Sequence, residues 1–254
     1  MSFVLPIADF DRFGPMVALL PLKAEGEKYE RTELIRPCFH LFSDSGLDAY
    51  YAPFHYLNVK ARVVLMGLTP GWTQMEQAFR AARIALSCGL EGDALFQQVE
   101  ATASFSGPMR KNLVEMLDGI GLNRHLGIES CLELFGAHNE LVHFTSAVSA
   151  PVFRNGQNYR GYGPPMLQVP TLARWLLENL AHEIASVPEA VIVPLGRVAD
   201  EAVEFLSERG LFDLSRCLTG FPHPSGANGH RKPDFERGRE RWSVQISTWF
   251  DGAR

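Results

Sequence analysis

Arg62–Leu68 reads RVVLMGL, an apolar run that passes straight into the turn Gly67-Leu68-Thr69-Pro70-Gly71. A short continuous apolar run closed by Gly and Pro predicts a buried strand of the kind found in parallel sheets. Leu141–Val148 (LVHFTSAV) and Ala190–Leu195 (AVIVPL) repeat the signal, and Leu214–Gly220 repeats it more weakly. Helical spacing separates these runs. Met109–Ile120 places Leu113, Met116, Leu117 and Ile120 on one face and closes on Gly121, and Leu167–Ile184 and Arg197–Leu206 show the same periodicity. Strands alternating with helices predict an α/β fold: a three-layer α/β/α sandwich around a central, mainly parallel four-stranded sheet.

With 254 residues, 46% of them hydrophobic and 21% charged, the chain can bury one sizeable core without disulfide or metal support. A single domain over 1–254 is expected, with residues 1–60 as an N-terminal extension packed on it and 72–104 as a helical insertion. Ala150–Pro165 (APVFRNGQNYRGYGPP) is rich in turn residues and aromatics and does not read as a linker. No stretch approaches the roughly 18 apolar residues that span a bilayer. The opening MSFVLPIADFDRFGP lacks a basic segment followed by a long apolar one, so a cytoplasmic, intracellular protein without membrane contact is expected. Cys38, Cys88, Cys131 and Cys217 are scattered with no CxxC among them, so neither a metal, a cluster nor any other cofactor is expected. A net charge of −5 counts against non-specific coating of nucleic acid but leaves room for a local basic cleft, and Arg216–Arg241 carries six basic residues against three acids.

Ligands of open parallel sheets gather beyond the carboxyl ends of the strands, so the residues that follow each strand carry the chemistry. After the first strand, GLTPG offers backbone amides on a rigid turn. After the second come Thr145 and Ser146 and then a loop with Arg154, Asn155, Asn158, Tyr159 and Arg160, which supplies side-chain hydrogen bonds and phosphate contacts. After the fourth, Phe221–Arg231 (FPHPSGANGHR) joins a proline-braced histidine to a flexible, polar and basic tip. Taken one at a time these are ordinary loops. Their order is more specific: GLTPG at 67–71, SFSGP ahead of a helix at 104–108, VIVPLGRVA at 191–199 and HPS at 223–225.

In that order of motifs the chain resembles the uracil-DNA glycosylase superfamily, over roughly residues 60–250. The resemblance implies removal of a flipped-out uracil or other damaged or modified base from single- or double-stranded DNA, by a monomer that uses water as nucleophile. It implies that His223 hydrogen-bonds the base oxygen as charge develops there. It further implies a base pocket from Gly67, Leu68, Pro70 and Gly71, with Phe105 stacking on the base and Ser146 standing where the family reads the pyrimidine edge with Asn. Trp72, directly after Gly71, would wall the pocket. Thr69 takes the position of the family's Asp or Asn and would hold a water without supplying a negative charge. Ser225, Asn228, His230 and Arg231 match the segment that presses into DNA, and Arg154 and Arg160 would add phosphate contacts. Asn155 or Asn158 is an alternative reader of the base edge.

Two other readings remain open at this stage. One is a nucleic-acid or nucleotide-binding member without catalysis, which Thr69 favours and His223-Pro224-Ser225 opposes. The other is an enzyme on the same scaffold that cuts a free nucleoside or nucleotide.

Overall fold

The computed structural model describes residues 10–252. In chain order the elements are α1 (Phe10–Ala18), α2 (Arg31–Leu34), β1 (His40–Asp44), β2 (Leu47–Tyr50), β3 (Val63–Gly67), α3 (Trp72–Ser87), α4 (Gly92–Ala103), α5 (Pro108–Gly119), α6 (Leu122–Leu126), β4 (Val142–Ser146), β5 (Val152–Arg154), β6 (Gln157–Asn158), α7 (Pro170–Trp175), α8 (Ala181–Ala185), β7 (Val191–Pro194), α9 (Arg197–Ser207) and α10 (Arg231–Gly252). They form two compact units. One holds Leu57–Leu68, Phe105–Ala147 and the described part of Leu180–Arg254; the other holds the described part of Met1–Tyr56, Thr69–Ser104 and Val148–Asn179.

The first unit is built on a parallel sheet in the order β4-β3-β7, with Gly67 opposite Ser146 and Met66 opposite Pro194. Every residue of β3 is buried, as a strand covered on both faces requires. On one face Val63, Leu65, Phe144 and Val193 share a core with Leu113 and Leu117 of α5 and with Trp242 and Ile246 of α10. The fold is therefore mixed α/β with a parallel three-stranded sheet. The fourth strand expected at Leu214–Gly220 is reduced to one parallel bridge, Ile192 with Cys217, and the bond from Leu218 N–H to Ile192 O at 2.8 Å. Pairing stops there because the next β7 residue facing that side, Pro194, has no N–H to give Leu218 O, and Thr219 O turns to α10, accepting from Trp242 Nε1 at 3.0 Å and Arg241 Nη2 at 2.6 Å.

The second unit carries an antiparallel sheet in the order β1-β2-β5-β6, which the strand–helix alternation did not anticipate. Its two hairpins close through the dipeptides Ser45-Gly46 and Asn155-Gly156, all four residues with positive φ. Two-residue turns of that hand match the right-handed twist of the strands they join. Helices α3 and α4 occupy the stretch read as a helical insertion. Met75, Ala78, Phe79 and Ala82 of α3 enter a core with Phe13, Phe39, Tyr51 and Phe153, where the Phe13 and Tyr51 rings stack at 4.1 Å. The N-terminal segment, the helical stretch and the turn-rich segment thus share one core. Among the described residues, no helix is long and apolar enough to cross a membrane.

Candidate functional site

In the parallel-sheet unit, β3 and β4 end side by side at Gly67 and Ser146. A Cβ on Gly67 would stand 3.3 Å from Ser146 Oγ and 3.4 Å from the Phe105 ring, so the missing side chain is what lets ring and hydroxyl approach this backbone. Phe105 is only 6% exposed and packs on Phe144 with ring centroids 6.1 Å apart. Its φ of 50° is a left-handed conformation that costs a non-glycine residue on the order of 1–3 kcal/mol. The aromatic is held in place against a backbone penalty, ahead of the Gly107-Pro108 start of α5. Gly67, Phe105 and Ser146, picked out separately in the sequence, meet at one point, with the half-buried Leu68 following directly.

The histidine motif is seated on the start of α9. Gly196 N–H donates to Phe221 O at 2.8 Å, and a Cβ on Gly196 would lie 2.9 Å from His223 Cβ, so only glycine permits this approach. Ser225 N–H donates to His223 Nδ1 at 3.2 Å. A backbone amide can only donate, so Nδ1 is unprotonated and the proton of the neutral ring resides on Nε2. Burial holds the His223 pKa below the ordinary imidazole value, which keeps that neutral form at pH 7.

The loop after His223 is braced by its own side chains. Asn228 Nδ2 donates to His223 O at 3.2 Å, Asn112 Nδ2 donates to Pro224 O at 2.9 Å, and Arg231 Nη1 donates to Pro224 O and Ser225 O at 3.2 and 3.3 Å. Ser225 Oγ accepts from Ala227 N–H, while His230 stands exposed with its N–H on Asn228 Oδ1. Asn228 and Arg231, expected to meet DNA, shape the loop.

Other residues singled out in the sequence belong to the second unit: Thr69, Pro70, Gly71, Trp72, Arg154, Asn155, Asn158, Tyr159 and Arg160. Thr69 Oγ1 donates to Ala150 O at 2.7 Å and accepts from Val152 N–H at 3.1 Å, so its proton is committed to the backbone. Asn158 Oδ1 accepts from Trp72 N–H at 3.0 Å at the first turn of α3, which brings this candidate to the Gly71 end of the turn. The Arg31 guanidinium lies 4.8 Å from the Trp72 ring centroid and donates to Gly156 O. Arg154 and Arg160 are exposed.

Asp200 was missed. It lines a cavity of about 590 Å³ in the parallel-sheet unit together with Gly196, His223, Asn228, Arg237 and Arg241. Although 8% exposed, it has one partnered oxygen: Oδ2 accepts from Gly220 N–H at 3.0 Å, and Oδ1 is buried without a hydrogen-bond partner. Burial, only partly offset by the Gly220 amide, pushes the carboxyl up to about 7. The signal was present in RVADEAVEFL, where an acid directly follows Ala199 and precedes Val203 by three on the apolar face. His143 of β4 is 2% exposed with Nε2 at 2.7 Å from Glu183 Oε1. Among the described residues, no three His, Cys, Asp or Glu side chains are grouped to hold a metal ion.

No family model matches the chain, and no solved structure matches it. A relative from Bacillus subtilis (strain 168), described as the uncharacterized protein YoxB, is 36% identical over 221 residues, spanning 86% of this chain and 86% of its own.

Proposed function

The chain belongs to the same family as YoxB of Bacillus subtilis, and we propose that it is a monofunctional DNA glycosylase of the uracil-DNA glycosylase superfamily, active on a flipped-out uracil or other altered base. The observation that carries this reading is the neutral His223 with its proton on Nε2, fixed by the Ser225 amide. Cleavage breaks the bond between C1′ and the base nitrogen, and the bonding pair leaves with the base. The base oxygen takes up the charge and receives the Nε2–H hydrogen bond, worth most where the donor is preorganised and water is excluded. Water adds its oxygen to C1′ and releases its proton to solvent.

Support also comes from the strained Phe105 beside Gly67 and Ser146, which suits a stacking platform at a strand end. The bridge at Cys217 supports reading Leu214–Gly220 as the remnant of the superfamily's fourth strand, in a three-layer sandwich. The partner in this reading is DNA, bound by a cytoplasmic monomer.

Thr69 favours a second reading. With its hydroxyl proton on Ala150 O it has no charge and no free proton to offer, as expected of a member that binds nucleic acid without cleaving it. The two are separated by incubating the protein with single- and double-stranded oligonucleotides carrying uracil, hypoxanthine, xanthine or hydroxymethyluracil, followed by alkali. A glycosylase leaves alkali-labile abasic sites. A binding module leaves none, yet binds with an affinity that falls steeply with salt.

A further inference from the structure

Thr219-Gly220-Phe221 is the backbone that delivers His223, and two helices grip it. From α10, Arg241 Nη2 and Trp242 Nε1 donate to Thr219 O. From α9, Gly196 N–H donates to Phe221 O, and Asp200 Oδ2 accepts from Gly220 N–H at 3.0 Å. Of these four contacts, only that of Asp200 involves a group whose charge changes near neutral pH.

The surroundings of Asp200 explain why its charge is finely balanced. On α9, Glu201 and Glu204 repel its ionised form, and Arg197 is answered by Glu201 at 3.0 Å. On α10, Asp234 pairs with Arg237, while Arg241 attracts the carboxylate but spends Nη2 on Thr219 O. The segment leading to the loop brings Cys217 and His223. The cations of the cavity rim are thus engaged elsewhere, which leaves Asp200, with its second oxygen unpartnered, as the group whose state alters the wall.

We propose that Asp200 is a positioning residue for the loop that carries His223: ionised, it holds Gly220 N–H in a charge-assisted bond that fixes the imidazole, and protonated, it releases part of that hold. The consequence for activity rests on the reading of His223 as the group that meets the base, whereas the coupling of the two residues is a property of this unit alone.

Two variants of the full chain test it. Asp200→Asn keeps an acceptor for Gly220 N–H and cannot ionise; Asp200→Ala removes the acceptor. The His223 ring is followed by NMR from pH 5 to 9. In the wild type its signals are expected to show an inflection near pH 7 beyond the ring's own titration, and in both variants to lose it. Asp200→Ala is expected to displace the His223 signals at every pH and, in steady-state base release, to lower kcat about 10-fold with little change in KM. Asp200→Asn is expected to restore most of that loss at pH 6 and to lack the wild-type step near pH 7. A His223 titration in Asp200→Asn that is indistinguishable from wild type overturns the proposal, even if Asp200→Ala fails to fold. Should the wild type release no base, the glycosylase reading fails, and the NMR titration still decides the role of Asp200.

Discussion

Ser225 N–H donates to Nδ1 of His223 at 3.2 Å, two residues away along the same loop. This bond makes the loop its own tautomer selector, because adding a proton to Nδ1 sets two donors against each other and breaks it. Burial lowers the His223 pKa, so the ring stays neutral above the ordinary imidazole range, and the bond is lost as pH falls through the depressed value. Protonation of His223 is therefore expected to lower kcat/KM only beneath the ordinary imidazole range, at a pH below the separate step near pH 7 that Asp200 contributes. A pH–rate profile checks this.

Phe105 serves both the core and, in this reading, the base. Replacing it with Ala removes core volume and is expected to cost about 3–5 kcal/mol, which hides any effect on binding. Phe105→Leu conserves most of the packing and is expected to cost under about 1.5 kcal/mol in urea unfolding. The same variant is expected to weaken binding to an oligonucleotide with an extruded base by about 1–3 kcal/mol, the contribution of one stacked ring.

Thr69 joins Ala150 O to Val152 N–H. Thr69→Ala leaves both backbone groups without their partner and is expected to destabilise the chain by about 1–3 kcal/mol. Thr69→Ser, which keeps the hydroxyl, is expected to lose far less. Denaturant midpoints of the two variants give the comparison.

Asp200 has a pKa raised by burial from 3.8 to about 7. For a group raised on folding, the unfolded chain ionises first, so stability is highest below the unfolded pKa and declines as pH rises through the folded one. Relative to Asp200→Asn, the wild type is expected to lose about 2–4 kcal/mol between pH 4 and pH 8. Urea midpoints measured in parallel across that range read the difference directly.

The three strands of the parallel sheet were legible because VVLMG, VHFTS and VIVP are short apolar runs ended by turn residues. Helix α5 was legible from Leu113, Met116 and Leu117, and its stop from Gly121 in the left-handed region. The antiparallel sheet was not, since HLFSD and LDAY are too short and too polar to stand out, although Asn155-Gly156 is a strong hairpin signal that was passed over as loop. Gly67, Phe105 and Ser146 were singled out as candidates by motif order. Their meeting depends on the register of β3 against β4, which no local pattern encodes. Asn158 reaches Trp72 N–H across 86 residues, a contact beyond any spacing rule. Asp200 was passed over because an acid inside a helix ordinarily reads as surface; its place on the apolar face beside Ala199 and Val203 was the available signal, and the Gly220 amide and the cavity show what it does there.

The most direct measurement is single-turnover base release from a uracil-containing oligonucleotide by the wild type and by His223→Ala, with circular dichroism to verify that both are folded. The expected result is abasic-site formation by the wild type and a rate lower by about 100-fold or more in the variant, the loss typical of one preorganised hydrogen-bond donor. Equal rates in the two proteins, or no base release from any of the four altered substrates by a folded wild type, contradict the assignment of His223 as the group that receives the charge of the departing base.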